Sequence, residues 1–283
     1  MIALIRFFNL LVKHAHPFQP KFDFELWKKH ITDPKAGPQP RIQYVNRNRN
    51  ALKNFLFNLR VFASSLIHSI REKQYVIEIE KDLHYVRIPK CGSTTINYLI
   101  LKSIYEDSTI QKYTDDQIDL LADSTLKHVE INSRINSFAI VRNPLHRLVS
   151  AYQSIFGNQD KFIYQNLYLG IFRYNDDFSS FVQKLSCIPV SLMDQNVRPQ
   201  YTFVKAGTKI FKLEDGFQPI QNLHPVFGDS NIRRNATVYS KDWWQFYDKS
   251  TFKIAESIYK EDIERFNYTN EIRELKLRIL NMK

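Results

Sequence analysis

Residues 85–95 of the chain read YVRIPKCGSTT. An apolar run ends at a proline and a lysine, and a glycine and three hydroxyl residues follow. This order is typical of a buried strand that turns tightly into a helix. The backbone N–H groups at the start of such a helix have no partners within it, and they attract anions together with the positive end of the helix dipole. The stretch therefore predicts a phosphate-binding loop.

The residue types of this loop suit an anion. The glycine lets the backbone approach a phosphate closely, the lysine adds a positive charge, and the hydroxyl groups are hydrogen-bond donors. The alternative for the isolated segment is an ordinary helix with Ser93 or Thr94 as its N-cap. The candidate binding residues of the loop are Lys90, Cys91, Gly92, Ser93, Thr94 and Thr95.

Two known phosphate loops differ from this one. A Walker A loop reads G-x-x-x-x-G-K-[ST], with its lysine after the second glycine, whereas Lys90 precedes the single glycine of the stretch. A cysteine phosphatase loop has an arginine six residues after its cysteine, and the residue six positions after Cys91 is Asn97. The motif therefore argues against ATPases, GTPases and cysteine phosphatases.

A second strand–loop–helix follows the first. The apolar run SFAIVR (137–142) leads through a turn-prone Asn-Pro pair into LHRLVSAYQSIF (145–156), which has helical periodicity. Arg142 stands at the strand end, where its planar guanidinium group suits a phosphate, and Ser150 stands about two turns into the helix. Two such units predict an α/β domain in which Lys90 and Arg142 lie at the carboxyl ends of neighbouring parallel strands.

The remaining chain completes the predicted fold. A hairpin is expected at 75–80 and 83–88, a helix after the first loop with Ile104 on its apolar face, and further elements at 178–187, 208–214 and 251–266. We predict a P-loop-like, three-layer α/β/α domain with a central parallel sheet over residues 76–283. A mainly helical extension, residues 1–75, is predicted to pack on it.

Charge and cysteine content restrict the class of protein. The formal net charge of +11 suits a phosphorylated or sulfated ligand, nucleic acid or an anionic membrane. Two cysteines support neither a disulfide framework nor a zinc site, and a reducing compartment is expected. No segment reaches the ~20 apolar residues of a membrane span. The apolar face of residues 1–16 suits docking onto the domain or, as the alternative, peripheral membrane contact.

The two motifs together resemble those of sulfotransferases that use 3′-phosphoadenosine 5′-phosphosulfate (PAPS). RIPKCGSTT (87–95) is similar to their 5′-phosphosulfate loop and VRNPLHRLVSAY (141–152) to their 3′-phosphate motif. The variant is most similar to the carbohydrate branch, which includes heparan sulfate 2-O-sulfotransferase and the chondroitin sulfotransferases. Fainter resemblances occur in MDQNVRPQY (193–201), where Asn196 replaces an expected histidine, and in IYKEDIERFNY (258–268).

The resemblance implies roles for the motif residues. Lys90 would serve the bridging oxygen and the 5′-phosphate, which the amides and hydroxyls of residues 92–95 would hold. Arg142 and Ser150 would hold the 3′-phosphate, which distinguishes PAPS from ATP. PAPS is thus the expected co-substrate, no metal is expected, and the expected acceptor is an oligosaccharide or polysaccharide hydroxyl.

The general base is predicted from a third segment, LKHVEINS (126–133). Similar positions in the carbohydrate enzymes carry a histidine, so His128 is the expected base, with Glu130 on the same side of an extended segment as the alternative. Arg198 is a candidate contact for an anionic acceptor. His146 and Arg147 are expected to face solvent, with the 3′-phosphate as the alternative partner of Arg147.

Two other classes and two compartments remain as alternatives. A P-loop-type nucleotide kinase would share the fold but lacks Walker A. A basic nucleic-acid-binding module would use the charge, but the chain has no named motif of that kind. We expect a cytoplasmic enzyme that can attach to a membrane surface through residues 1–16. The alternative compartment is the Golgi lumen.

Overall fold

The central sheet lies between helices in the computed structural model, which describes residues 7, 76–105, 110–129, 136–156, 171–172, 176–228, 234 and 242–281. Its strands are β1 (Val76–Glu80), β2 (Leu83–Val86), β3 (His128–Val129), β4 (Ser137–Val141) and β5 (Lys209–Lys212). They lie side by side in the order β3-β1-β2-β4-β5.

Four of the five described strands run in the same direction, and β1 runs opposite to them. β2 pairs with β4 and β4 with β5 in parallel, and Phe138 of β4 faces Tyr85 on one side and Lys209 on the other. β1 is antiparallel to β2 because a tight turn joins the two strands, and β3 is antiparallel to β1. The predicted α/β class and the parallel strands at the centre of the sheet are confirmed.

Among the described residues, the α-helices are α1 (Ser93–Lys102), α2 (Asp115–Thr125), α3 (Pro144–Phe156), α4 (Phe178–Leu185), α5 (Lys249–Ile258), α6 (Lys260–Arg265) and α7 (Thr269–Leu280). Short 3₁₀ segments connect several of them, at 190–192, 200–202, 213–215, 218–223, 225–227 and 243–246.

The ends of the helices follow local sequence signals. α3 begins at Pro144, since proline is preorganised for the first helical position and lacks the N–H that would have no partner there. α2 begins after Thr114, whose side chain forms a capping box with Gln117. α1 ends at Lys102, so the prediction that Ile104 lies on its apolar face is wrong: this side chain is 55% exposed.

The strands beside the two motif loops are the most deeply buried part of the sheet. Every residue of β2 and of β4 is buried, as expected for parallel strands covered on both faces. The helix predicted for 251–266 is two helices, α5 and α6, which meet at Tyr259. The buried hydroxyl of Tyr259 donates to the backbone oxygen of Val197 at 2.6 Å.

The predicted extension, residues 1–75, lies outside the described residues apart from Phe7, which is buried. Its helical character and its packing on the domain stay predictions. No helix within the described ranges has the length and hydropathy needed to cross a membrane.

Candidate active site

The loops that follow β2 and β4 lie against each other at the carboxyl edge of the sheet. Because the two strands are parallel neighbours, both loops leave the sheet on the same side. Nη1 of Arg142, directly after β4, donates a long hydrogen bond of 3.4 Å to the backbone oxygen of Lys90. Nζ of Lys90 donates to Oγ of Ser154 on α3, at 2.7 Å. The two sequence motifs therefore form one site.

The first loop depends on left-handed backbone. Lys90 has a φ of 68° and Gly92 a φ of 79°, a region that costs energy for any residue with a Cβ atom. A Cβ atom on Gly92 would also lie 2.8 Å from Cζ of Phe217. Gly92 is itself the N-cap of α1 and no side chain caps this helix, so the alternative of Ser93 or Thr94 as cap is wrong.

The start of α1 presents backbone donors. The N–H groups of Thr95 and Ile96 bond to the backbone oxygen of Gly92. Those of Gly92, Ser93 and Thr94 have no acceptor within the part of the chain that the structure describes. Three consecutive N–H groups at a helix start, beside a lysine, are the arrangement that binds a phosphate.

The three hydroxyl groups of this motif have different surroundings. Thr94 donates to Oδ2 of Asp119 on α2 at 3.0 Å. Oγ1 of Thr95 donates to the backbone oxygen of Arg234 at 3.1 Å and accepts from its N–H at 3.0 Å. Ser93 makes no side-chain hydrogen bond among the described residues. The two threonine hydroxyls therefore hold neighbouring segments to α1, while the serine hydroxyl remains available to a ligand.

The second loop carries a polar stripe along α3. His146, Ser150 and Ser154 follow each other at intervals of four residues, which places them on one side of the helix. Together with Arg142, which precedes the helix by two residues, they form the stripe. Arg142 and Ser150 are buried, with exposed fractions of 3% and 4%. The stripe begins at the Arg142 guanidinium and ends at the serine that contacts Lys90, so it spans the site.

His146 is not directed to solvent, contrary to prediction. Its Nε2 atom lies 2.6 Å from Nη2 of Arg142, and its ring stacks on Trp243 with centroids 4.6 Å apart and an interplanar angle of 9°. Burial and the neighbouring Arg142 charge lower the pKa of His146 to about 3. The imidazole is therefore neutral at physiological pH.

Arg147 is also buried rather than solvent-facing, with 1% of its surface exposed. Its guanidinium group donates to three backbone oxygens, those of Pro89 at 2.8 Å, Arg198 at 2.8 Å and Gln195 at 2.9 Å. It thereby ties the first loop to segment 195–198. The prediction is wrong because its position on α3 faces the interior, where three carbonyls meet its donors.

Gln200 joins the two motif loops, a role that sequence reasoning missed. Its Oε1 accepts from the backbone N–H of Arg142 at 2.9 Å and from Sγ of Cys91 at 3.1 Å, and its Nε2 donates to the backbone oxygen of Arg142 at 2.8 Å. The carboxylate of Asp262 accepts from the backbone N–H groups of Gln200 and Tyr201, at 2.8 and 2.7 Å. The two faint sequence resemblances contain Gln200 and Asp262.

Burial raises the pKa of two groups that contact Gln200, the thiol of Cys91 and the carboxyl group of Asp262. Burial raises the pKa of the Cys91 thiol to about 12, so this cysteine is a neutral donor and not a nucleophile. Burial also raises the pKa of Asp262, although its hydrogen bonds from residues 200 and 201 act in the opposite direction.

Glu214 also contacts the second loop. Its carboxylate accepts from the backbone N–H of Asn143 at 2.7 Å and from the Tyr268 hydroxyl at 2.9 Å.

The sequence model of the sulfotransferase family matches residues 73–269, a segment that holds both loops, Gln200 and Asp262. The chain belongs to the sulfotransferase family. Neither a curated protein nor a solved structure matches it. The family assignment supports an enzyme that transfers a sulfuryl group.

Segment 193–198 of this sulfotransferase is stabilised by hydrogen bonds between its own residues. Nε and Nη2 of Arg198 both donate to the backbone oxygen of Met193, at 3.1 and 2.9 Å. Asn196, which replaces the expected histidine, donates from its N–H and its side chain to Oδ1 of Asp194. The contact of Arg198 with an anionic acceptor stays a prediction.

His128 lies on the edge strand of the sulfotransferase sheet and is exposed. It pairs with Ile77, which pairs with Tyr85 near the end of β2. His128 is therefore level with Tyr85 in β2, two strands away from it, which is about 10 Å at the usual strand spacing. Glu130 lies outside the described residues. Which of the two is the general base stays a prediction.

The described residues of the enzyme contain no group of three or more His, Cys, Asp or Glu side chains arranged to hold a metal ion.

Proposed function

We propose that this sulfotransferase moves a sulfuryl group from PAPS to a hydroxyl group of a carbohydrate acceptor. The observation that carries the proposal is the contact between the two motif loops, where Arg142 reaches the backbone of Lys90. A donor with phosphates at both its 5′ and 3′ positions needs two anion sites at a fixed separation. The two loops would supply them, since they follow neighbouring parallel strands.

The first anion site is assigned to the 5′-phosphosulfate. The N–H groups of Gly92, Ser93 and Thr94 and the hydroxyl of Ser93 would hold the phosphate, and Lys90 would stabilise the charge that develops on it. PAPS supplies a sulfuryl group on a phosphate leaving group. The acceptor oxygen attacks sulfur, and the bond from sulfur to the phosphate oxygen breaks. The products are a sulfate ester and adenosine 3′,5′-bisphosphate.

The second anion site is assigned to the 3′-phosphate. Arg142 lies two residues before α3 and Ser150 about two turns into it, and both are buried. A guanidinium group binds a phosphate through two parallel hydrogen bonds, and burial strengthens such a contact because solvent screens it less. These two residues would separate PAPS from nucleotides that carry no 3′-phosphate.

The acceptor proton is assigned to His128, with Glu130 as the alternative base. Histidine in general can accept and release a proton near neutral pH, which suits a general base.

The net charge of +11 favours an anionic acceptor such as a sulfated or carboxylated polysaccharide. Arg198 is the candidate contact for this acceptor.

Nucleotide binding tests the donor assignment. We expect adenosine 3′,5′-bisphosphate to bind the protein more tightly than AMP, and to raise its unfolding temperature more than ATP or DNA does. Arg142→Ala removes a charge-assisted contact that is typically worth about 1.5–3 kcal/mol, so the preference over AMP should largely disappear. Arg273→Ala, at an exposed position of α7, is the control. Equal affinity of the parent protein for both nucleotides would refute the assignment.

Transfer of labelled sulfate from PAPS to a panel of polysaccharides tests the acceptor and the base. His128→Ala should lower turnover by about 10²–10⁴-fold while leaving nucleotide affinity nearly unchanged, and Glu130→Gln should have the smaller effect. The reverse order would exchange the two roles. Full turnover in both variants would show that neither residue is the base.

A further inference from the structure

The contact between Arg142 and His146 fixes the protonation of the histidine. A guanidinium group carries N–H donors and no acceptor, so at 2.6 Å from Arg142 the Nε2 atom of His146 must be the acceptor. Its proton then lies on Nδ1. Burial and the Arg142 charge lower the pKa of the ring to about 3, which maintains this neutral form.

We propose that His146 is a positioning residue, which orients the Arg142 guanidinium group toward the second phosphate of the nucleotide. This inference rests on the proposed function, since it assumes that Arg142 binds the 3′-phosphate. His146 need not touch the nucleotide itself. Its role is to fix a flexible side chain before the ligand arrives, which lowers the entropy that binding would otherwise lose.

A second contact, with Trp243, holds the imidazole ring of His146 in place. Trp243 covers one face of it in a nearly parallel stack. The Trp243 ring meets Tyr247 edge to face at 6.3 Å, and the buried Tyr247 hydroxyl donates to the backbone oxygen of Leu145 at 2.8 Å. Because Leu145 precedes His146 in α3, these contacts form a closed path that returns to the same helix. The acceptor atom is therefore held at a defined place beside Arg142.

A neutral acceptor suits this position better than a charged one. A carboxylate beside Arg142 would form an ion pair, which would cancel part of the positive charge that attracts a phosphate. A protonated imidazole would repel Arg142 and could not accept its hydrogen bond. Neutral His146 directs the guanidinium group without itself neutralising the positive charge.

Two substitutions separate the acceptor atom from the ring. His146→Phe keeps an aromatic ring for Trp243 but removes the acceptor, whereas His146→Gln keeps an acceptor at about the same distance from the backbone. Dissociation constants for adenosine 3′,5′-bisphosphate and for AMP are measured by calorimetry. We expect His146→Phe to reduce the preference for the bisphosphate about tenfold, equivalent to about 1.4 kcal/mol, and His146→Gln to retain most of it. AMP affinity should not change, because AMP lacks the second phosphate.

Controls keep a loss of folding apart from a loss of position. His224→Phe makes the same substitution in the 3₁₀ region and should leave the preference unchanged, and unfolding temperatures are recorded for every variant. Trp243→Leu removes the stack without touching the acceptor and should reduce the preference by about threefold, which tests the inference even if His146→Phe does not fold.

Three results would overturn the inference. The first is an unchanged preference in His146→Phe or, if that variant does not fold, in Trp243→Leu. The second is an equal loss in His146→Phe and His146→Gln, which would assign the effect to the shape of the ring. The third is a parent protein without any preference for the bisphosphate, and only this result would also refute the proposed function.

Discussion

Replacing Gln200 with leucine should weaken both the fold and the proposed nucleotide site. The Gln200 side chain is completely buried and hydrogen-bonds both the N–H and the C=O of Arg142, as well as the thiol of Cys91. Leucine has a similar volume but no polar atoms, so the substitution removes these partners without opening a large cavity. The substitution does not remove the backbone N–H groups of residues 200 and 201, which donate to the Asp262 carboxylate.

The magnitude follows from the two backbone groups of Arg142. A buried backbone group that loses its partner costs about 1–3 kcal/mol, so the free energy of unfolding should fall by about 2–6 kcal/mol. The Cys91 thiol is a weak donor and adds little to this loss. Because natural domains are stable by about 5–15 kcal/mol, the variant should still fold in part or in full at low temperature.

Urea denaturation and calorimetry together test this reasoning. Denaturation monitored by fluorescence gives the loss of unfolding free energy, and titration with adenosine 3′,5′-bisphosphate gives the loss of affinity. Gln218→Leu, at an exposed position, is the matched control and should change stability by no more than about 0.5 kcal/mol. A Gln200→Leu protein that loses less than about 1 kcal/mol and binds the nucleotide normally would refute the role given to this side chain.

Three further predictions concern single residues of the site. Gly92→Ala should destabilise the protein by about 1–2 kcal/mol from its left-handed backbone and by more from the contact with Phe217, whereas Gly207→Ala, with a φ of +87° but open space, should show only the backbone cost in urea denaturation. Iodoacetamide at pH 8 should modify one thiol in the folded protein and both in urea, because Cys91 is buried with a raised pKa and Cys187 is half-buried; rapid modification of both in the folded state would contradict this. The pKa of His146 is lowered from 6.5 to about 3, so below pH 6.5 the unfolded chain binds a proton that the folded chain does not. Its contribution to stability is thus complete above pH 6.5 and declines toward pH 3. The unfolding free energy of the parent should fall more steeply with acid than that of His146→Phe, by up to about 1.4 kcal/mol per pH unit, and parallel curves would exclude this shift.

Much of the site was predictable because its main features are local in sequence. A strand that ends near a lysine and a glycine, followed by a helix, leaves N–H donors without an acceptor in that helix wherever the chain lies in space. Pro144 marks the start of α3, and both motif loops lie where the two strand–loop–helix units predict them. These features depend on contacts within a few residues, so the order of residue types is sufficient to indicate them.

Tertiary structure decided which side chains support the loops and which remain available to a ligand. Gln200 meets residues 58 and 109 positions earlier, and Arg147 meets carbonyls 48 to 58 positions away, so no pattern within a local window predicts either contact. For the same reason no local pattern predicts that the Thr94 hydroxyl donates to Asp119, and His146 was expected in solvent but lies beside Arg142 and Trp243. The sequence by itself determined the backbone donors and the left-handed turn at Gly92. The partners of the polar side chains depend on which distant segments the fold brings within about 3 Å, and packing of the whole domain determines that.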